Sequence, residues 1–214
     1  MNRRARALLL GCTISLLVPL APARVEAQSQ ATPANKERAA ALKKQGDEAM
    51  QSLSYADALA SYNQSYALVP DPALLYNIGR AHEALDDLPA ALDSLEKFDA
   101  TAPAELKARV PKLSALIVEL RGRVSSVTIT ANVSGARVLV RGRDLGTTPL
   151  PSAVRLRSGS ATVEVTKEGH VPWKREVSLP GGGALTVDVT LSTKERRGTL
   201  IVGTTPPGAA VTVG

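Results

Sequence analysis

The spacing of apolar positions changes character part-way along the chain. From Lys36 to about Gly122 apolar side chains recur at steps of three and four amid abundant Ala, Leu, Lys and Glu, which predicts helices with one buried stripe each. Beyond Arg123 the period becomes two. Val127/Ile129, Val138/Val140, Val154/Leu156, Val163/Val165 and Leu185/Val187/Val189/Leu191 alternate with polar residues, and clusters of Gly, Pro, Asn or Asp separate the runs. Trp173, Val177 and Leu179 supply a further strand, and Gly181-Gly182-Gly183 a turn. This half predicts a small antiparallel β domain with one buried face. Residues 28–35, QSQATPAN, show no apolar period and predict a disordered spacer. The fold class expected is α+β multidomain, with helices over 36–122, a β domain over 123–192 and a linker over 193–197.

The helical half repeats. Aligning Gly46 with Gly79 also aligns Leu42 with Leu75, Ala58 with Ala91, Leu59 with Leu92, Tyr62 with Leu95 and Pro70 with Pro103, all at a spacing of 33 residues. Small residues at Gly46/Gly79 and Ala58/Ala91 let two antiparallel helices approach closely, large ones fill the space around the crossing, and the prolines end the second helix. Two such units leave an open face. Leu106, Val110, Leu113, Ile117 and Leu120 form one stripe that would cover it, with Pro111 kinking this helix or starting its longer half and Gly122 ending it.

These residues resemble the tetratricopeptide repeat (TPR) over roughly 38–103. Tyr55-x-x-Ala58-Leu59-x-x-Tyr62-x-x-Ser65-x-x-Leu68-x-Pro70 matches its second helix, and Leu75-x-x-Ile78-Gly79 its first. Gln45 and His82 depart from it, standing where apolar and aromatic residues are usual. The resemblance implies a concave groove that takes a protein or peptide partner, lined here by Lys43, Asp47, Tyr76, Asn77, Arg80 and Glu83. In repeats that grip a peptide's C-terminal carboxylate a Lys and two Asn recur. Lys43 and Asn77 match, but Asp47 stands in place of the other Asn and would repel that group.

In the β half, Ser134-Gly135-Ala136-Arg137-Val138-x-Val140-x-Gly142-x-x-x-Gly146-x-Thr148-Pro149, followed by Val163-x-Val165-x-Lys167-x-Gly169-His170, resembles the PEGA domain, a short β-sandwich module of bacterial surface proteins. Val133 and His170 depart from that pattern. After the linker the pattern restarts: Gly198-Thr199-Leu200-x-Val202 leads to Pro206-Pro207-Gly208-Ala209-x-Val211-x-Val213-Gly214, the start of a second, truncated copy over 198–214.

The N-terminus bears on location. Arg3, Arg4 and Arg6 precede an apolar run from Ala7 to Leu20, and Val25-Glu26-Ala27 offers a small-x-small cleavage pattern, so residues 1–27 read as a signal peptide cut between Ala27 and Gln28. The expected location is the periplasm or cell surface, with no transmembrane helix once the signal is removed. A signal anchor, or a lipoprotein acylated at Cys12, is the alternative. Cys12 is the only cysteine, so the processed chain would have neither a disulfide nor a thiolate-held metal.

Charge is split along the chain. Residues 28–122 carry 10 basic and 13 acidic side chains, net −3, whereas 123–214 carry 12 basic and 6 acidic, net +6. That asymmetry suggests a contact of Arg137, Arg141, Arg143, Arg155 and Arg157 with a polyanion such as wall or surface polysaccharide. Nucleic acid is not expected: export would remove the protein from it, and Trp173 is the β domain's one aromatic platform.

No catalytic pattern stands out. The two histidines lie in different halves, and Gly-x-x-x-x-Gly-Lys-Ser/Thr, Gly-x-Ser-x-Gly and His-Glu-x-x-His are absent. Asp86-Asp87 reads as a helix–helix turn and His82 as a packed residue. The expectation is a non-enzyme without cofactor or metal, an envelope adaptor or scaffold. The alternative is a carbohydrate-binding module protein using its basic β domain.

Overall fold

The computed structural model describes residues 32–195, with Ile201, Gly203, Ala210 and Thr212 beyond them. The expected signal peptide and its cleavage site lie outside the described residues, as does most of the second copy expected over 198–214.

Helix α1 (Pro33–Gln51) begins three residues before Lys36, so the last residues assigned to the spacer are helical. The local chemistry explains this. Thr32 accepts the Asn35 N–H on its hydroxyl at 3.2 Å, and Pro33 sits in the first turn, where its missing donor would have had no partner anyway. Helix α2 (Tyr55–Leu68) returns antiparallel: Gly46 lies under the Tyr62 ring, while three residues further along α2 Ser65 donates to the Ala39 carbonyl at 2.8 Å.

The next pair repeats the arrangement. Helix α3 (Pro72–Ala84) is capped by Asp71, and α4 (Leu88–Thr101) by Asp87, with Asp86 in the turn at φ 59°. Gly79 now lies under Leu95, and Tyr76 meets Phe98 with ring centroids 5.7 Å apart. Both members of the close-packed pair, Gly46–Tyr62 and Gly79–Leu95, recur at the 33-residue spacing read from the sequence.

Pro111 separates the expected capping stripe into two pieces, α5 (Ala104–Lys107) and α6 (Leu113–Gly122). Leu113, Ile117 and Leu120 of α6 pack with Leu88, Leu92, Leu95 and Phe98 of α4. A single residue, Arg123, joins α6 to the first strand, and Gly122 is the helix's last residue rather than a left-handed stop beyond it.

The β half is a sandwich of two sheets. Strands β1 (Val124–Ala131), β4 (Val154–Arg157) and β7 (Ala184–Val189) form one, in the order β4-β1-β7. The other runs β3-β2-β5-β6, from β2 (Arg137–Val140), β3 (Arg143–Thr147), β5 (Gly159–Thr166) and β6 (Trp173–Leu179). Their inner faces share one core, with Val127, Ile129 and Val187 on one side and Val138, Val163 and Val165 on the other. Two details depart from the sequence expectation. β1 and β7 are parallel, because β7 crosses from one sheet to the other after the Gly181–Gly183 turn instead of forming a hairpin with β6. β3 carries no apolar alternation and was not foreseen; it is an edge strand whose residues are mostly exposed.

The two halves are continuous. Val124 of β1 belongs to the α4–α6 core. The Ser158 N–H donates to the Arg123 carbonyl and the Gly182 N–H to that of Val124, each at 2.9 Å, so the β4–β5 and β6–β7 turns both clasp the helix-to-strand junction.

Candidate functional site

Two regions bear on function: the inner face of α1 and α3, and the arginine-bearing side of the β domain where it meets α4.

On the first, Lys43 and Asp47 stand one turn apart and form an ion pair at 2.7 Å. Asp47 also accepts from the Tyr62 hydroxyl at 2.9 Å. Burial, and this bond to a carboxylate, push the Tyr62 phenol well above its usual range, so it stays a donor. Asp47 is thereby held by two donors, which offsets much of the repulsion it would exert on an incoming carboxylate. On α3, Arg80 and Glu83 pair at 2.6 Å, Asn77 is half-buried without a polar side-chain partner among the described residues, and Tyr76 turns its ring onto Phe98. A cavity of about 190 Å3 opens between the two helices, lined by Lys36, Ala39, Ala40, Lys43 and Leu74 among others. Of the six residues expected to line a groove, Lys43 alone lines this cavity among the described residues; four are joined in the two ion pairs and Tyr76 is engaged in packing.

The second region changes the picture more. Arg155 of β4 reaches Asp93 and Glu96 of α4, both at 2.6 Å, and Arg121 of α6 holds the other oxygen of Glu96 at 2.7 Å. Arg157 pairs with Asp86 in the α3–α4 turn, and Arg123 lies 3.9 Å from the same carboxylate. Arg141, at φ 51°, spends its guanidinium on the carbonyls of Arg157, Ser158 and Ser160. Arg137 pairs with Asp144 at 2.9 Å. Only Arg143, of the five arginines expected to meet a polyanion, has no partner among the described residues; it borders a crevice of about 440 Å3 with Asp87, Asp93 and Arg155. The opposite charges of the two halves meet each other inside the molecule, a use the charge count alone did not suggest.

Burial alone would push the Glu96 carboxyl up, but hydrogen bonds from Arg155 and Arg121, with their charges, outweigh it and hold the group below its usual range. Glu96→Gln should therefore lower stability by about 1 kcal/mol at low salt. The loss should shrink at roughly 1 M salt, where the screening length falls to about 3 Å. Thermal melts across a salt series check this, and equal melting of variant and wild type at low salt would show that the pairs contribute nothing.

His82 sits behind the same turn. Its Nδ1 is buried without a hydrogen bond among the described residues, 3.7 Å from an Asp87 oxygen. Burial lowers its pKa below the usual value, against the opposing pull of Asp87 and Asp93. A folded-state pKa below the unfolded one means that the folded chain binds fewer protons. The associated stability is fully present above the unfolded value of about 6.5 and is lost as pH falls from there toward the lowered folded value. His82→Gln should flatten the pH dependence of melting in that interval, and an unchanged slope would assign it to other groups.

Among the described residues no three His, Cys, Asp or Glu side chains converge on a point that could hold a metal ion. Nor is any described helix long and apolar enough to cross a membrane.

Compared with known families, residues 124–195 match the PEGA domain, a stretch that takes in β1 to β7 and the first residues after them. No curated protein matches the chain.

Proposed function

We propose that this chain is an exported, non-catalytic adaptor: a TPR-like helical array whose groove holds a protein or peptide partner, rigidly continued into a PEGA module that serves as spacer or surface contact. The observation that carries the reading is the recurrence, 33 residues apart, of one packing device, a glycine lying under a large side chain of the returning helix. Stacked hairpins of this kind present their first helices on a common face suited to an extended segment. On that face Asn77 is without a polar side-chain partner among the described residues, and the Lys43–Asp47 and Arg80–Glu83 pairs are half-exposed and able to exchange partners.

The rival reading, binding of an anionic wall polymer by the β domain, requires the polymer to compete with the partners that four of its five arginines already hold within the chain. Immobilised full-length chain and an Asn77→Ala/Arg80→Ala variant can be exposed to the same envelope extract. A protein retained by the first and lost by the second supports the adaptor. Equal retention would sink the groove, and sedimentation with purified wall that depends on Arg143 would favour the rival. N-terminal sequencing of exported protein should start at Gln28.

A further inference from the structure

Sheet β4-β1-β7 is incomplete in a way that leaves an opening. β4 pairs with β1 only from Val124 to Val127, where Val127 faces Val154, and the chain preceding Val154 then turns away. β7 covers the other side of β1 as far as Ala131. The direction of each main-chain group follows from the bonds already made. The Ser126 N–H and the Val124 carbonyl bond on the β7 side, as does the Asn132 N–H to Val189, so even-numbered residues of β1 face β7. Odd-numbered ones face β4, as the bond from Ser158 to the Arg123 carbonyl confirms. Ile129 and Ala131 thus direct their N–H and C=O groups past the end of β4, and among the described residues neither makes a main-chain bond on that side.

These groups do not face a flat surface. They open into a crevice of about 390 Å3 that is apolar at Ala131, Val133, Pro149 and Leu150 and polar along Thr128, Thr130 and Asn132, with no charged side chain among the described residues that line it. That neutrality stands out in a β half with net charge +6. An unpaired strand edge beside a pocket with one apolar wall is the arrangement that accepts an added strand, with main-chain bonds giving affinity and the pocket selecting an alternate side chain. A charged side chain entering this pocket would lose water without meeting an opposite charge among the described residues.

We propose that the Thr128–Ala131 edge of β1 is a docking site for an extended, uncharged segment of a partner polypeptide. The segment adds antiparallel to β1 in line with β4, pairs with Ile129 and Ala131, and places an aliphatic side chain between Val133 and Leu150. This surface is separate from the helical groove, so the proposal stands whether or not the groove binds a partner.

Hydrogen exchange on the full chain tests it, with acetyl-Thr-Val-Thr-Val-Thr-amide as the probe. In the protein alone the Ile129 and Ala131 amides should exchange fast, while Val163 and Val165 are protected. Millimolar peptide should slow Ile129 and Ala131 by about tenfold or more. The same peptide with every amide N-methylated should not, and Leu150→Asp should abolish the effect while leaving Val163 and Val165 protected. Several results would overturn the proposal: slow exchange at Ile129 and Ala131 without peptide, whether from a second copy or from the chain's own residues beyond 195; no protection at millimolar peptide; protection that survives N-methylation; or protection confined to β3 or β6.

Discussion

Gly79→Leu is expected to destabilise the helical half by several kcal/mol. Even a Cβ at this position would stand 2.7 Å from Cγ and 2.8 Å from Cδ2 of Leu95, with the Ala91 carbonyl oxygen 3.4 Å away. Leu95 is fully buried between α3, α4 and α6 and has no space to withdraw into. Overpacking of such a core costs about 1–3 kcal/mol or more, and the helix propensity regained by removing a glycine, about 1 kcal/mol, offsets only part. A smaller residue opposite should relieve the clash, so Gly79→Leu with Leu95→Ala should melt above Gly79→Leu alone, a non-additivity expected of residues in direct contact. If Gly79→Leu melted at or above wild type, the 33-residue alignment would lose its physical basis.

That crossing was visible in the sequence because it depends on side-chain size at a fixed spacing, which a linear reading can follow. The β core was legible for the same reason: Val138, Val140, Val163 and Val165 alternate strictly and all are buried. Strand β3 was not, since an edge strand of largely exposed residues has no apolar face to announce it. The parallel pairing of β1 with β7 was equally hidden, because alternation shows which face is buried but not which strand lies alongside.

The candidate sites were legible in residue type more than in role. A count of charges by segment located the acidic and basic halves, yet could not show that Asp86, Asp93 and Glu96 lie opposite Arg155 and Arg157. Those partners are some 60 to 70 positions apart along the chain. The arginines that looked available to an external polymer thus already hold partners within the chain, which a polymer would have to displace. The open edge of β1 is invisible to any pattern of side chains, since its groups belong to the main chain and are exposed only because β4 stops at Val154.

The helix-to-strand junction offers the second large effect, through two glycines in contact that should respond oppositely to the same change. Gly181 lies in the β6–β7 turn against the end of α6. A Cβ there would overlap the Gly122 carbonyl oxygen and lie 3.6 Å from Ser158 Oγ. The obstacle is backbone, which cannot rotate aside as a side chain would, so Gly181→Ala must move the turn away from the junction. Displacing it also strains the bond from the Gly182 N–H to the Val124 carbonyl, 2.9 Å long. Overpacking of about 1–3 kcal/mol and a weakened hydrogen bond of about 1 kcal/mol together predict a loss of several kcal/mol. Gly122, on the other side of that contact, is helical, and a Cβ there would meet nothing within 4 Å. Gly122→Ala should therefore be neutral or stabilising by up to about 1 kcal/mol, the ordinary gain for a helical position. Amide exchange at Val124 and Gly182 should rise in Gly181→Ala and stay unchanged in Gly122→Ala. If the two alanines melted alike, the clasp between the β6–β7 turn and the helix end would not be what holds the two halves together.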